Sequence, residues 1–389
     1  MGEAQEKLND SQAHAAVPTP PMTERIRDWL ADSALPFWAE VGRDPRGGLH
    51  EDLTLEATAP GPSDFKRTRV QARQMYVYAA AHDMDWDGPA LTVAEDAYRF
   101  LMSHARLDGG AWARRLSPDG KVIDDTVDLY DLAFVIYGMA HLYKVTDDPE
   151  PLAMARQTLE FITAHLSHPM GGFHETKPKT TSHRLQNPHM HLLEALLALY
   201  EAAGDRRVLR QATQIRDLIL TEMMSRQSGH MILLERADDH WRTLTTPEGR
   251  TIEPGHHFEW TWLLAEHARL SGQDIPEHQH GLYETATTWG LNSKNGLVYD
   301  EITTQGRCVH ATSRCWTVTE ALRSHLIMGH QDRAEAMAER LFQYYLDPAP
   351  TGTWRDQMDA NGQAICQRIP ASTFYHLMTA FSAWLSLVD

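Results

Sequence analysis

Residues 171–200 read GGFHETKPKTTSHRLQNPHMHLLEALLALY: a paired-glycine turn, a polar connection, then a segment that is apolar around most of its circumference. A helix greasy on all sides belongs inside a protein. The turn signal recurs along the chain as Gly47-Gly48-Leu49-His50, Gly109-Gly110-Ala111-Trp112, Ser228-Gly229-His230-Met231, Asn295-Gly296-Leu297-Val298 and Thr351-Gly352-Thr353-Trp354. The second residues of the six signals (48, 110, 172, 229, 296 and 352) lie 56 to 67 residues apart. That spacing is regular, and longer than the common helical-hairpin repeats.

Two helical patterns fill each interval. One opens at an acidic or proline-containing turn, over residues 89–105, 148–166, 205–224, 275–291 and 332–346. In the third of these, Leu209, Ile215, Leu218 and Ile219 share a face while Arg210 and Asp217 lie opposite, the pattern of a helix half in water. The other pattern is apolar throughout, as in YDLAFVIYGMAHLY (130–143), HLLEALLALY (191–200) and FYHLMTAFSAWLSL (374–387). Six amphipathic outer helices around six buried inner ones describe an all-α fold, the (α/α)6 barrel, with short hairpin loops at one end. Closure explains why no unit carries a polar capping face, which an open solenoid needs. Residues 1–22, polar and holding Pro18, Pro20 and Pro21, are expected to form a flexible tail, and residues 23–389 a single barrel domain.

Hydrophobic residues make up 42% of the chain, enough to fill such a core. Against 36 lysines and arginines stand 53 aspartates and glutamates, a net charge of −17. This surface repels phosphate backbones and anionic lipid, so neither nucleic acid nor membrane is an expected partner. The first residues lack the basic start and apolar stretch of a secretory signal. Cys308, Cys315 and Cys366 form no CxxC pair and suit a reducing cytoplasm.

Polar residues stand near the start of each inner helix, where apolar ones would pack: Arg73, Tyr130 and Asp131, Asn187 and His191, His256 and Glu259, Trp316 and Glu320, and His376. If the ring closes, these positions converge at one mouth, and burying them calls for mutual hydrogen bonds or a ligand. Taken singly, each has a plain structural reading. His191 could be a core histidine with Glu194 orienting it, Arg73 could pair with a carboxylate, His256-His257 could be a helix-entry pair, and Trp316 could be packing. Their shared phase across six units points instead to one site. No metal is expected, because His189-x-His191 and His256-His257 do not present both rings on one helical face and no HExxH occurs. Neither a Walker-type loop nor a strand-borne GxGxxG is present, so no nucleotide cofactor is expected.

The motifs NPHMHLLEA, PGHHFEWTWLL, RCWTVTEAL and the late YHL resemble those of the N-acylglucosamine 2-epimerase superfamily, over essentially all of residues 23–389, and most nearly its mannose isomerase branch. The resemblance implies the same barrel and a pocket for one monosaccharide. It implies His256 and His376 as the catalytic pair and His191, Asn187 and Arg73 as ligands near C1 and C2. Glu194, Glu259 and Glu320 would be supports or hydroxyl ligands, and Trp316 the stacking surface. Pro370-Ala-Ser-Thr-Phe-Tyr-His376 departs from the Lys-Pro-Asp segment that the isomerase branch carries before its Tyr-His. The expected reaction is cofactor-independent interconversion of D-mannose and D-fructose, or of D-lyxose and D-xylulose, through a cis-enediolate. A sugar 2-epimerase is the alternative. A glycoside hydrolase using the acidic group Asp124, Asp125, Asp128 and Asp131 is more distant, as is a non-catalytic sugar binder. The expected partner is a monosaccharide, with homodimerisation left open.

Overall fold

A computed structural model describes residues 20–388. The expected tail at 1–22 therefore lies largely outside the described residues, and its last member, Met22, opens the first helix. Among the described residues, six outer and six inner helical rods alternate along the chain. The outer rods are α1 (residues 22–40), α3 (90–105), α5 (Pro149–His165), α7 (Arg206–Glu222), α9 (Pro276–Trp289) and α11 (331–346). The inner rods are α2 (Thr68–Asp83), α4 (Leu129–Thr146), α6 (Gln186–Ala203), α8 (Pro254–Ser271), α10 (Cys315–Ile327) and α12 (Thr373–Leu387). Asp148 and Asp205 cap α5 and α7 by accepting from the backbone N–H groups of Glu150 and Arg207, which explains the acidic openings read in the sequence.

Inner-to-outer connections are tight. Asp147, Gly204 and Gly272 end α4, α6 and α8 in left-handed conformations. The outer-to-inner connections begin with the glycine hairpins and then run on to form the mouth of the barrel. Gly172 shows why the signal demands glycine: its φ is +67°, and a Cβ there would sit 2.8 Å from both His189 Nε2 and Leu218.

Six short strand pairs stitch the units together at this mouth. The strand just before each inner helix pairs antiparallel with the connection of the next unit: Lys66–Arg67 with Arg115–Leu116, Val127–Asp128 with Thr176–Lys177, and Arg184–Leu185 with Arg236–Ala237. The series continues with Thr251–Ile252 on Glu301–Thr303 and Ser313–Arg314 on Gln357–Met358. It ends with Ile369–Pro370 returning to Asp52–Leu53, so the last unit pairs with the first. Gln74 Nε2 donates to the Ala371 carbonyl at 2.7 Å, and Trp38 stacks on Trp354 with centroids 5.0 Å apart, sealing the same seam. The ring is closed. Among the described residues no helix is long and apolar enough to cross a membrane.

Candidate active site

A cavity of about 610 Å³ opens at the stitched mouth, over the N-terminal turns of the inner helices. Arg73, Tyr130, Asn187, His191, His256, Glu259, Trp316 and His376 line it. The ring geometry thus brings together most of the positions singled out in the sequence, including the three histidines.

His256 and His376 flank one indole: the Trp316 ring lies 5.1 Å from His256 and 5.6 Å from His376, centroid to centroid. Each imidazole is held through Nδ1 by a carboxylate, which fixes the ring and leaves Nε2 for chemistry. His256 Nδ1 lies 2.8 Å from Glu235 Oε2, and His376 Nδ1 lies 2.9 Å from Glu320 Oε1. The two surroundings differ in charge. Burial alone would push His256 down, but the negative charges of Glu235 and Glu253 outweigh it and raise the imidazolium to about 9. Burial likewise lowers His376, and there the positive field of Arg73 adds to it, holding the ring well below 6.5. The surroundings of His256 therefore favour the charged imidazole and those of His376 the neutral one.

His191, also depressed by burial, binds Glu194 through Nδ1 at 3.0 Å, and Glu194 accepts from the Tyr375 hydroxyl. Its Nε2 comes within 3.8 Å of Glu259 Oε1. Burial and the neighbouring charges of Glu320 and Glu194 push Glu259 well above the carboxylate range. Arg73 extends into the cavity with no carboxylate within 4.0 Å among the described residues. Its guanidinium donates to the Tyr130 hydroxyl at 2.8 Å and lies over Phe134, 4.1 Å from the ring centroid. Arg73 Nε, Asn187 Oδ1 and Glu259 Oε1 are buried without hydrogen-bond partners. Three orphaned polar atoms around one cavity are what a polyhydroxylated ligand would satisfy.

Glu194 and Glu320 stand behind the cavity as supports for His191 and His376 rather than in its lining. Asp131 is placed elsewhere. Its carboxylate turns away from the cavity to meet Arg69 at 3.1 Å, because residues 130 and 131 lie about 100° apart on α4 and only Tyr130 faces the axis. Asp124 accepts from the Thr126 backbone N–H and Asp128 caps α4, so the acidic group considered for hydrolysis supports the mouth. The neighbouring histidines divide similarly. His189 Nε2 accepts from Phe173 N and His257 Nε2 from Leu233 N, each pinning a loop to its inner helix, as Gln71 does for Leu49.

Sequence reasoning missed Glu235. It follows the strand His230–Leu233 and accepts from the Glu253 backbone N–H at 3.0 Å and from Gln186 Nε2 at 2.9 Å, besides binding His256. Carboxylates do the same backbone job elsewhere in the ring: Glu51 for Arg67 N, Glu175 for Leu185 N and Asp300 for Arg314 N. Those three are each ion-paired to an arginine, Arg67, Arg184 and Arg314. At Glu235 the cation is His256.

Three clusters bring ligand-type atoms within 4.8 Å of one another: His191/Glu194/Glu259, Glu235/Glu253/His256 and Glu259/Glu320/His376. In each, the histidine Nδ1 hydrogen-bonds a carboxylate of the same cluster.

A family model described as N-acylglucosamine 2-epimerase matches residues 48–380. A protein of Rhizobium meliloti (strain 1021) named mannose-6-phosphate isomerase is 33% identical over 91% of this chain and 94% of its own. A cellobiose 2-epimerase of Bacteroides fragilis is 25% identical over 73% of this chain and 76% of its own. The crystal structure of a D-mannose isomerase superposes with a TM-score of 0.86 at 18% identity, covering 95% of this chain and all of that one, a likeness of fold.

Proposed function

The chain belongs to the N-acylglucosamine 2-epimerase family, and from that premise and its cavity we propose an aldose–ketose isomerase that interconverts mannose and fructose. Family membership makes it a sugar isomerase or epimerase. The observation that carries the finer reading is the pair of imidazoles flanking Trp316, one held protonated and the other neutral.

The chemistry follows from that asymmetry. The sugar stacks on Trp316. His256, as the imidazolium, donates its proton to the ring oxygen while the O1 hydroxyl releases its own to solvent, and the C1–O5 bond opens to the aldehyde. His376 Nε2 then takes the C2 proton, and the electron pair forms a cis-enediolate. Negative charge develops on O1 and O2, where Arg73, the lining arginine without a carboxylate partner, stabilises it. The proton on O2 passes to O1, His376 returns its proton to C1, and the C2 ketone of the ketose forms. A single base serving both carbons gives an isomerase, whereas a 2-epimerase must reprotonate C2 from its other face.

The rim bears on the substrate's far end. Arg67, Arg314 and Arg368 line the cavity, but Glu51, Glu253 with Asp300, and Asp52 respectively already neutralise them. A phosphate dianion would find no uncommitted cation there, so the uncharged hexose is the better fit. Proton NMR in heavy water tests the reading with mannose, mannose 6-phosphate, glucose and fructose. Fructose deuterated at C1 from free mannose is expected. Glucose without ketose would replace the isomerase by an epimerase, and turnover of the phosphate ester alone would overturn the substrate assignment.

A further inference from the structure

A second cavity, of about 690 Å³, occupies the opposite end of the barrel among the C-terminal halves of the inner helices. At its inner end stands Arg323, which is only 4% exposed. Arg323 Nη1 donates to Glu320 Oε2 at 2.9 Å, three residues back on α10, while the other oxygen of that carboxylate holds His376. Its guanidinium lies over Trp262, 4.5 Å from the ring, and its Nε has no partner. The arginine thus forms part of the partition between the two cavities, touching the base only through Glu320.

We propose that Arg323 is a positioning residue that keeps His376 a neutral base by neutralising Glu320, and that small cations can reach its place from the far end of the barrel. The inference rests on the reading of His376 as the base. Set against His256, the logic is direct. There a histidine faces Glu235 and Glu253, and the guanidinium of Arg314 binds Glu253 rather than Glu235. Here the histidine's own carboxylate is matched by a buried guanidinium. The other charged and titratable groups around His376 act in the same balance: Arg73 from α2, His191 and Glu194 from α6, and Glu259 from α8. Of these Arg73 and His191 favour the neutral ring and Glu194 opposes it. Removing Arg323 takes away the charge that offsets the buried Glu320 carboxylate, so the Glu320–His376 pair would hold a proton to higher pH and His376 would fail as a base there.

The test is the pH dependence of kcat/KM for mannose. In Arg323→Met, which keeps most of the side-chain volume, the acid limb should move up by a unit or more, with at least a tenfold loss at pH values on the acid side of both limbs. Arg323→Lys should return the limb most of the way. In Arg323→Ala, millimolar guanidinium entering the far cavity should restore the limb, while uncharged urea of the same shape should not. Activity that is lost with the limb unmoved and without guanidinium rescue would overturn the proposal. His376→Ala with near-wild-type turnover would instead sink the assignment of the base itself, so the two failures are distinguishable.

Discussion

The two histidine–carboxylate pairs share one geometry and differ in their second neighbours. His256 answers to two carboxylates and stays charged, while His376 answers to one carboxylate that an arginine already neutralises. On the proposed reading, identical side chains in the same hydrogen-bonding pose take opposite roles, and the difference is made a residue away from the cavity. Knowing which residues touch a cavity is not enough to assign acid and base; the charge behind each one decides.

The largest effect that could break this contrast is loss of either ring. His256→Ala and His376→Ala should each lower kcat by a factor of about 10³ or more with the thermal midpoint shifted little, because each removes a proton carrier and not a packing element. Turnover assays beside calorimetry check this, and near-normal turnover in either variant would end its proposed role.

Glu235→Gln sharpens the comparison. Without its anion His256 should lose its proton at lower pH, moving the alkaline limb down by about two units, with a roughly tenfold loss at pH 8 and little change at pH 6. The same change should show in stability. Since the folded value, about 9, lies above the unfolded 6.5, the pair's contribution is full below pH 6.5 and is lost as pH rises through 9. Wild-type midpoints should fall over that window, and the variant's should fall less.

Trp316→Ala removes the surface between the rings. It should raise KM roughly tenfold, consistent with stacking energies of about 1 kcal/mol, and steady-state kinetics with mannose would show it. The smallest expected effect on activity is at Asp131, whose carboxyl burial pushes up to about 7 against the pull of Arg69. Asp131→Asn should cost stability, up to about 3 kcal/mol for a broken buried pair, and leave kcat/KM of the folded protein unchanged. A catalytic defect there would mean that α4 contributes more than Tyr130.

The six-unit ring was legible because glycine at positive φ and the contrast between two kinds of helix repeat at long intervals. His191, His256, His376, Arg73, Asn187 and Trp316 were legible as polar residues at the start of otherwise apolar helices. His189 and His257 carry the same local signal yet point outward to pin loops, since one or two residues turn a helix face by about 100° or 200°. Asp131 misled for the same reason. Glu235 was illegible on its own, lying in a polar loop. Only its repeat equivalents Glu51, Glu175 and Asp300, seen in three dimensions, mark it as a structural carboxylate whose arginine has been exchanged for a histidine.

The strand pair joining Ile369–Pro370 to Asp52–Leu53 has a consequence for biosynthesis. His376 sits on α12, just beyond that pair, so the pocket stays incomplete until α12 has been made and has packed, however well the earlier units have folded. Any stop codon before α12 removes the proposed base and opens the mouth at once, so truncated products should be inert rather than weakly active.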